Sequence, residues 1–250
     1  MEGFEYRYRT RRGNRVKSYV FAGPCNKTDL LLNLSKILSV SGFRVILVDG
    51  TVDGRYRYCI EEGHSAPAVI EYEGFDVAIG YRQFNEVEQA LFEMNEDVFY
   101  DFAIFDIELK EFINMDQWLS ASARVWATDY SRMTLERGKA WIEELCSQLS
   151  VNHLPPFYKL YIDAVETHIE PYIWSYYDDS PIEFQGSPVW IRSDELDTAV
   201  RLENEHHRRR SFKHYSRHYK KSLAELMEMI AGFEPAETRR AIQSRERKRA

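Results

Sequence analysis

Two hydrophobic periods alternate along the chain. Between residues 28 and 41, Leu30, Leu31, Leu34, Ile37 and Leu38 recur three and four positions apart, the face of a helix, and Gly42 stands where that helix should stop. Short apolar runs flank it at residues 16–22 and 43–48. The second, Phe43-Arg44-Val45-Ile46-Leu47-Val48, suits a strand buried on both faces of a parallel sheet. Further strand-length runs fall at 68–72, 76–80, 102–106, 123–127, 158–162 and 188–191. Helical stretches lie between several of them, notably 85–95 and 131–149, and a long helical region spans about 194–232 in one or two pieces. Strands alternating with helices need crossover connections. The pattern therefore predicts an α/β fold, a mostly parallel central sheet with helices on both faces. The aromatic run Tyr172-Ile173-Trp174-Ser175-Tyr176-Tyr177 has no decisive period and reads as strand or packing loop. The expected layout is a basic N-terminal arm at 1–15, one α/β domain at 16–233 and a polar basic tail at 234–250.

Composition narrows the function classes. The 250 residues are 44% hydrophobic and 29% charged, ordinary for one soluble domain. A net charge of −7 excludes bulk attraction to nucleic acid, leaving only a local patch for that purpose. Cys25, Cys59 and Cys146 lack metal-ligand spacing and read as reduced thiols of a cytoplasmic protein. No apolar run approaches the roughly 18 residues of a membrane span, and no apolar core follows the basic start as a signal peptide would require. There is no G-x-S-x-G nucleophile motif. Neither a Cys/His pairing nor a catalytic carboxylate pair can be read from spacing.

The first strand runs into Ala22-Gly23-Pro24-Cys25-Asn26-Lys27-Thr28-Asp29, then the helix. Asp49-Gly50-Thr51-Val52-Asp53-Gly54 ends the second strand, and Tyr100-Asp101-Phe102-Ala103-Ile104-Phe105-Asp106 forms a later one. A small-residue run, a strand and a turn into a helix follow in SASARVWATDYSRMTLERGKAWIEEL. In order and spacing these stretches resemble the MinD/ParA family of nucleotide switches with deviant phosphate-binding loops. That family shows K-G-G-x-G-K-[ST]-[ST], then D-x-D-x-x-G, then Y-D-x-x-I-I-D. The resemblance implies a site for ATP and Mg²⁺. Gly23, Asn26, Lys27, Thr28 and Asp29 would form the nucleotide loop, with Lys27 on the β- and γ-phosphates. Thr28, Asp49 and Asp106 would serve the metal. The same residues also have a plain reading, in which Asp49 and Asp106 are helix caps or turn formers at strand ends.

Departures from the family pattern carry the functional expectation. Pro24 replaces a glycine and removes one N–H donor from the phosphate cradle. Asn26 stands at the last glycine, where asparagine tolerates a left-handed backbone. Asp29 adds negative charge beside the phosphate site. Ala22 replaces the lysine that reaches a dimer partner's nucleotide, a loss of the kind worth about 10³–10⁵ in rate. Thr51 replaces the aspartate that helps position water. Hydrolysis is expected to be lost or very weak. Retained nucleotide binding is an open alternative, with Lys27, Thr28, Asp49 and Asp106 for it and Pro24 and Asp29 against.

Residues 206–222, HHRRRSFKHYSRHYKKS, hold seven basic residues and four histidines without an acid. Arg208, Arg209, Arg210, Lys213, Arg217, Lys220 and Lys221 form a candidate patch for an anionic partner. Phe212, Tyr215 and Tyr219 either stack on bases or pack inward as a helical stripe, the inward reading being favoured. The tail offers at most weak peripheral attraction to an anionic membrane. The expected function is a catalytically weakened scaffold or spatial regulator of a machine such as a pilus or secretion apparatus, as in the TadZ/CpaE-like branch of the family. Its partners would be proteins, including a second copy. The alternatives are an active ATPase of partition or division-site positioning and a DNA-binding module.

Overall fold

The computed structural model describes residues 16–60, 66–94, 99–149 and 154–247. The proposed arm at 1–15 lies outside them. Eight strands form one sheet in the order β3-β4-β2-β5-β1-β6-β7-β8. They are β1 (Lys17–Ala22), β2 (Val45–Gly50), β3 (Ala68–Tyr72), β4 (Phe75–Ile79), β5 (Phe102–Ile107), β6 (Ala123–Thr128), β7 (Phe157–Ala164) and β8 (Phe184–Arg192). All neighbouring pairs run parallel except β3 with β4. That hairpin turns through Glu73 and Gly74, both at positive φ (53° and 94°), the requirement of a tight two-residue connection.

Side chains of the central strands alternate between two cores, as a pleated strand demands. Tyr19, Phe21, Val45 and Leu47 face one core, and Val20, Ala22, Ile46 and Val48 the other. The first core is covered by α1 (Thr28–Val40), α2 (Tyr56–Ile60), α7 (Glu195–His206), α8 (Arg217–Ala231) and α9 (Pro235–Arg247). The second is covered by α3 (Phe84–Glu93), α4 (Met115–Ser120), α5 (Arg132–Leu149) and α6 (Glu170–Ser175). Burial on both sides explains why β2 and β5 read as continuous apolar runs rather than alternating ones.

Two sequence expectations change and one open alternative is decided. The aromatic run is neither strand nor loop: residues 170–175 are α6, started by Pro171 in its first turn and anchored by the buried Ile173. The region 194–232 divides into α7 and α8. Asp194 caps the first through the Leu196 and Asp197 N–H groups, and Ser216 caps the second through Tyr219 N–H. The tail is not separate from the domain. It forms α9, whose Ala241 and Ile242 are buried in the core shared with α1 and α8. Its apolar content is small, but Ala241 and Ile242 are buried together with Thr238, and Phe233, just before the helix, packs on Phe43.

Candidate functional site: a strand-to-helix loop closed on its own lysine

The topology gathers the strand tips. Ala22, the last residue of β1, pairs with Ile107 of β5 and Trp126 of β6, while Asp49 of β2 stands opposite Asp106 of β5. The C-terminal ends of such strands are where open α/β sheets place their ligands. The connection from β1 to α1 starts with Gly23 at φ 127°. A Cβ there would lie 2.1 Å from the Ala127 carbonyl oxygen, so only glycine lets the loop pass β6 this closely.

What fills the loop is its own lysine. The Lys27 ammonium donates to the carbonyls of Gly23 (2.6 Å) and Cys25 (3.0 Å) and pairs with Asp106 Oδ1 at 2.9 Å. Two of the three donors an ammonium has are thus on backbone carbonyls, and its charge sits against Asp106 as an ion pair. The other Asp106 oxygen, Oδ2, accepts the Tyr56 hydroxyl at 2.9 Å. Lys27, Asp106 and Tyr56 are all 0% exposed. Asn26 turns its side-chain oxygen onto Thr28 N–H at 3.0 Å, taking a donor that a phosphate oxygen would otherwise meet. Asp49 Oδ1 accepts both the N–H (3.0 Å) and the hydroxyl (2.6 Å) of Thr51. Beside this set, Glu108 binds Arg55 at 2.6 Å and receives Val52 N–H.

Burial dominates the electrostatics. It works against the Lys27 charge, but the Asp106 carboxylate and the groups beyond it outweigh it and hold the ammonium above its ordinary value. Burial raises Asp49 from 3.8 to about 6 against the opposing Thr51 hydrogen bonds, and it also raises Glu108 and the Tyr56 phenol.

Lys27, Asp49 and Asp106 therefore converge as the motif order suggests, with Gly23, Asn26 and Thr28 around them. Asp29 is different. Its carboxylate accepts from Arg210 (2.5 Å), Tyr215 (2.8 Å), Tyr219 (3.2 Å) and Asn33 (3.1 Å), so it is a neutralised anchor rather than free charge beside a phosphate. Arg210 leaves the expected anionic-partner patch for the same reason, being 4% exposed. Arg208, Arg209, Lys213, Arg217 and Lys221 remain exposed, and Lys220 is half-buried. Phe212, Tyr215 and Tyr219 are buried in the core, with the two tyrosine rings stacked at 4.3 Å, so they offer no face to a base. Tyr56, Arg55 and Glu108 were not singled out from sequence. Glu108 had a signal, since it follows Asp106 by two residues, the same-face spacing of a strand. Tyr56 had none beyond its place just after the second strand.

The set fits ATP and Mg²⁺ unequally. The phosphates find part of the cradle already engaged: two Lys27 donors lie on loop carbonyls and its charge lies against Asp106, Pro24 offers no N–H, and Asn26 holds Thr28 N–H. A cation finds more, because Thr28 Oγ1 and Asp49 Oδ2 are buried without a hydrogen-bond partner. Among the described residues no group of three His, Cys, Asp or Glu is placed to hold a metal, and no helix is long and apolar enough to cross a membrane.

No family model and no curated protein matches the sequence. Solved structures match the fold. A chain of the MinC:MinD cell division protein complex of Aquifex aeolicus superposes with TM-score 0.53 at 12% identity, over 76% of this chain and 87% of that one. A Borrelia burgdorferi protein described as a plasmid partition protein, bound to AMPPNP, gives 0.57 at 11% identity over 86% and 99%. A ParA family ATPase of Chlorobium tepidum gives 0.54 at 12% identity over 91% and 98%. The chain thus carries the mostly parallel α/β fold of the MinD/ParA-type ATPases, with the loop lysine folded into the loop itself.

Proposed function

We propose that this chain is a pseudo-ATPase: a nucleotide-switch fold kept for its shape and used as a scaffold or spatial regulator within a larger protein assembly, such as a pilus or secretion apparatus. The observation that carries this reading is the Lys27 ammonium, held by Gly23 O and Cys25 O and paired with Asp106, with no solvent access. Opening the loop for a nucleotide would strip the buried Asp106 of its cation, which costs several kcal/mol before any phosphate is bound. Ala22 and Thr51 support the same reading, because the bridging cation and the water-positioning carboxylate are both gone. A homodimer of this protein rests on side-chain packing rather than on a shared nucleotide.

The test is a melting curve of the purified chain with and without ATP and Mg²⁺, with phosphate release followed in the same sample. An unchanged melting temperature and no release are expected. A rise that Lys27→Ala abolishes would establish binding, and steady release lost in Asp106→Ala would establish an ATPase.

A second reading, a nucleotide-binding ATPase of partition or division-site positioning, is favoured by one observation. The unpartnered Thr28 Oγ1 and Asp49 Oδ2 are the oxygens that the family resemblance assigns to Mg²⁺, and one structural neighbour is bound to AMPPNP. In that reading the lysine-filled loop is a nucleotide-free resting state.

A further inference from the structure

The folding of the tail into α9 creates a groove that the sequence alone does not show. It runs between α8 and α9 and has a volume of about 630 Å³. Its floor is lined by Ala224, Ile242 and Pro235; the first two are 3% and 2% exposed, so its accessible apolar surface is mainly that of Pro235 and the aliphatic stems of the walls. Its walls carry Arg217, Lys220 and Lys221 from α8 and Arg239 from α9, against Glu225 and Glu228. Glu225 is already engaged by Lys221 at 3.1 Å on the helix surface. Cations thus outnumber acids around an apolar trough on a chain whose net charge is −7. The local excess of cations there favours anions on a chain of negative net charge, which is how a site selects for acidic partners.

We propose that this groove docks an acidic, amphipathic segment of a partner protein, with one or two apolar side chains against Pro235 and the aliphatic stems of the walls and carboxylates against Arg217, Lys220, Lys221 and Arg239. The shape argues against the other anionic partners. A membrane surface is engaged by protruding apolar side chains, whereas the apolar atoms here are recessed, Ile242 being 2% exposed. A duplex is engaged by a surface matched to its phosphates, and the aromatic residues that would assist a single strand are buried in the core. A helix or turn laid in a groove with apolar anchors is an established mode of peptide recognition. The groove shares no residue with the Lys27 loop, so the proposal stands or falls independently of the nucleotide question.

The experiment is selection of a phage-displayed library of random 12-residue peptides on the purified full chain, followed by affinity measurement of the enriched peptides. Enrichment of peptides combining Asp or Glu with Leu, Ile or Phe is expected. Their affinity should fall roughly tenfold or more in Lys221→Glu/Arg239→Glu, and it should weaken as salt is raised. Both positions are exposed, and an unchanged melting temperature verifies that the variant is folded. A library that yields no binder, binders without acidic side chains, or binders indifferent to the charge reversal overturns the proposal. So does tighter binding to phosphatidylglycerol vesicles or to a random-sequence DNA duplex that the same charge reversal removes.

Discussion

Lys27 and Asp106 meet at 2.9 Å with neither side chain exposed to solvent. The pair links the start of α1 to the end of β5. An isolated buried charge is far more costly than a buried pair. Lys27→Met should therefore lower stability by about 3–5 kcal/mol, because Asp106 is left with only the Tyr56 hydroxyl. Lys27→Met/Asp106→Leu should recover much of that loss. Urea unfolding midpoints of the two single variants, the double variant and the parent provide the check. A double variant as unstable as the sum of the singles would show that the pair is not coupled.

Asp49 sets a pH dependence. Its folded value is raised to about 6 from 3.8, so between those values the folded state holds a proton that the unfolded chain has released. Stability contributed by this group is present at low pH and is lost as pH rises through that window. The loss reaches about 3 kcal/mol at 1.36 kcal/mol per unit. Asp49→Asn, which keeps an oxygen for Thr51, should be more stable than the parent at pH 7 by up to that amount. The difference should vanish near pH 4. Glu108, raised by burial in the same direction, leaves the variant a residual slope of the same sign. An advantage for the variant that is equal at both pH values would refute the assignment to Asp49.

The strands, the helices α1, α3 and α5 and the α7–α8 region were legible because each relies on local periodicity, whereas the short α2, α4 and α6 and the tail helix α9 were not. Val45 to Val48 and Phe102 to Phe105 are buried on both faces and show it as unbroken apolar runs. The convergence of Lys27, Asp49 and Asp106 was legible too, since parallel strands of similar length bring their ends to one edge. The state of the loop was not. Whether Lys27 points toward a ligand space or back onto Gly23 O is decided by tertiary partners, Tyr56 among them, that lie far off in sequence. Asp29 misled for a related reason. Adjacent to the loop in sequence, it is claimed by Arg210 across 181 positions of chain. The tail misled because charge dominates its composition, while its attachment depends on two residues, Ala241 and Ile242.

Arg210 and its neighbours should separate structure from surface. Burial opposes the Arg210 charge, but Asp29 more than restores it and holds the guanidinium above its ordinary range. Arg210→Met should cost about 3–5 kcal/mol, since Asp29 and its tyrosine hydroxyls lose their cation. Arg209→Gln, at an exposed position, should leave stability within about 0.5 kcal/mol. Thermal or urea unfolding of the two variants distinguishes them. Equal effects would place Arg209 and Arg210 on the same solvated surface.

The α9 helix should behave as part of the domain. Ile242 is 2% exposed and packs in the core shared with α1 and α8. Truncating such a side chain typically costs about 2–5 kcal/mol, the spread reflecting how far the surroundings relax. Ile242→Ala should fall in that range and unfold in one transition with the rest of the chain. A separate early transition, or no change at all, would mean that the helix adds nothing to the core.

Tyr56 discriminates between the two readings of the loop. Its hydroxyl holds Asp106 Oδ2 at 2.9 Å, and a hydrogen bond to a charged acceptor is worth about 1.5–3 kcal/mol. Tyr56→Phe removes that bond with little change in packing, so stability should fall by about that amount. If Tyr56 were all that kept a working nucleotide site shut, the variant would gain a melting-temperature rise with ATP and Mg²⁺. The pseudo-ATPase reading expects none. The Lys27 donors stay on the loop carbonyls and Asp106, Pro24 still lacks an N–H, and Asn26 still covers Thr28. Calorimetric titration of ATP and Mg²⁺ into Tyr56→Phe decides the matter: heat of binding from the variant would return the loop to the class of functional nucleotide switches.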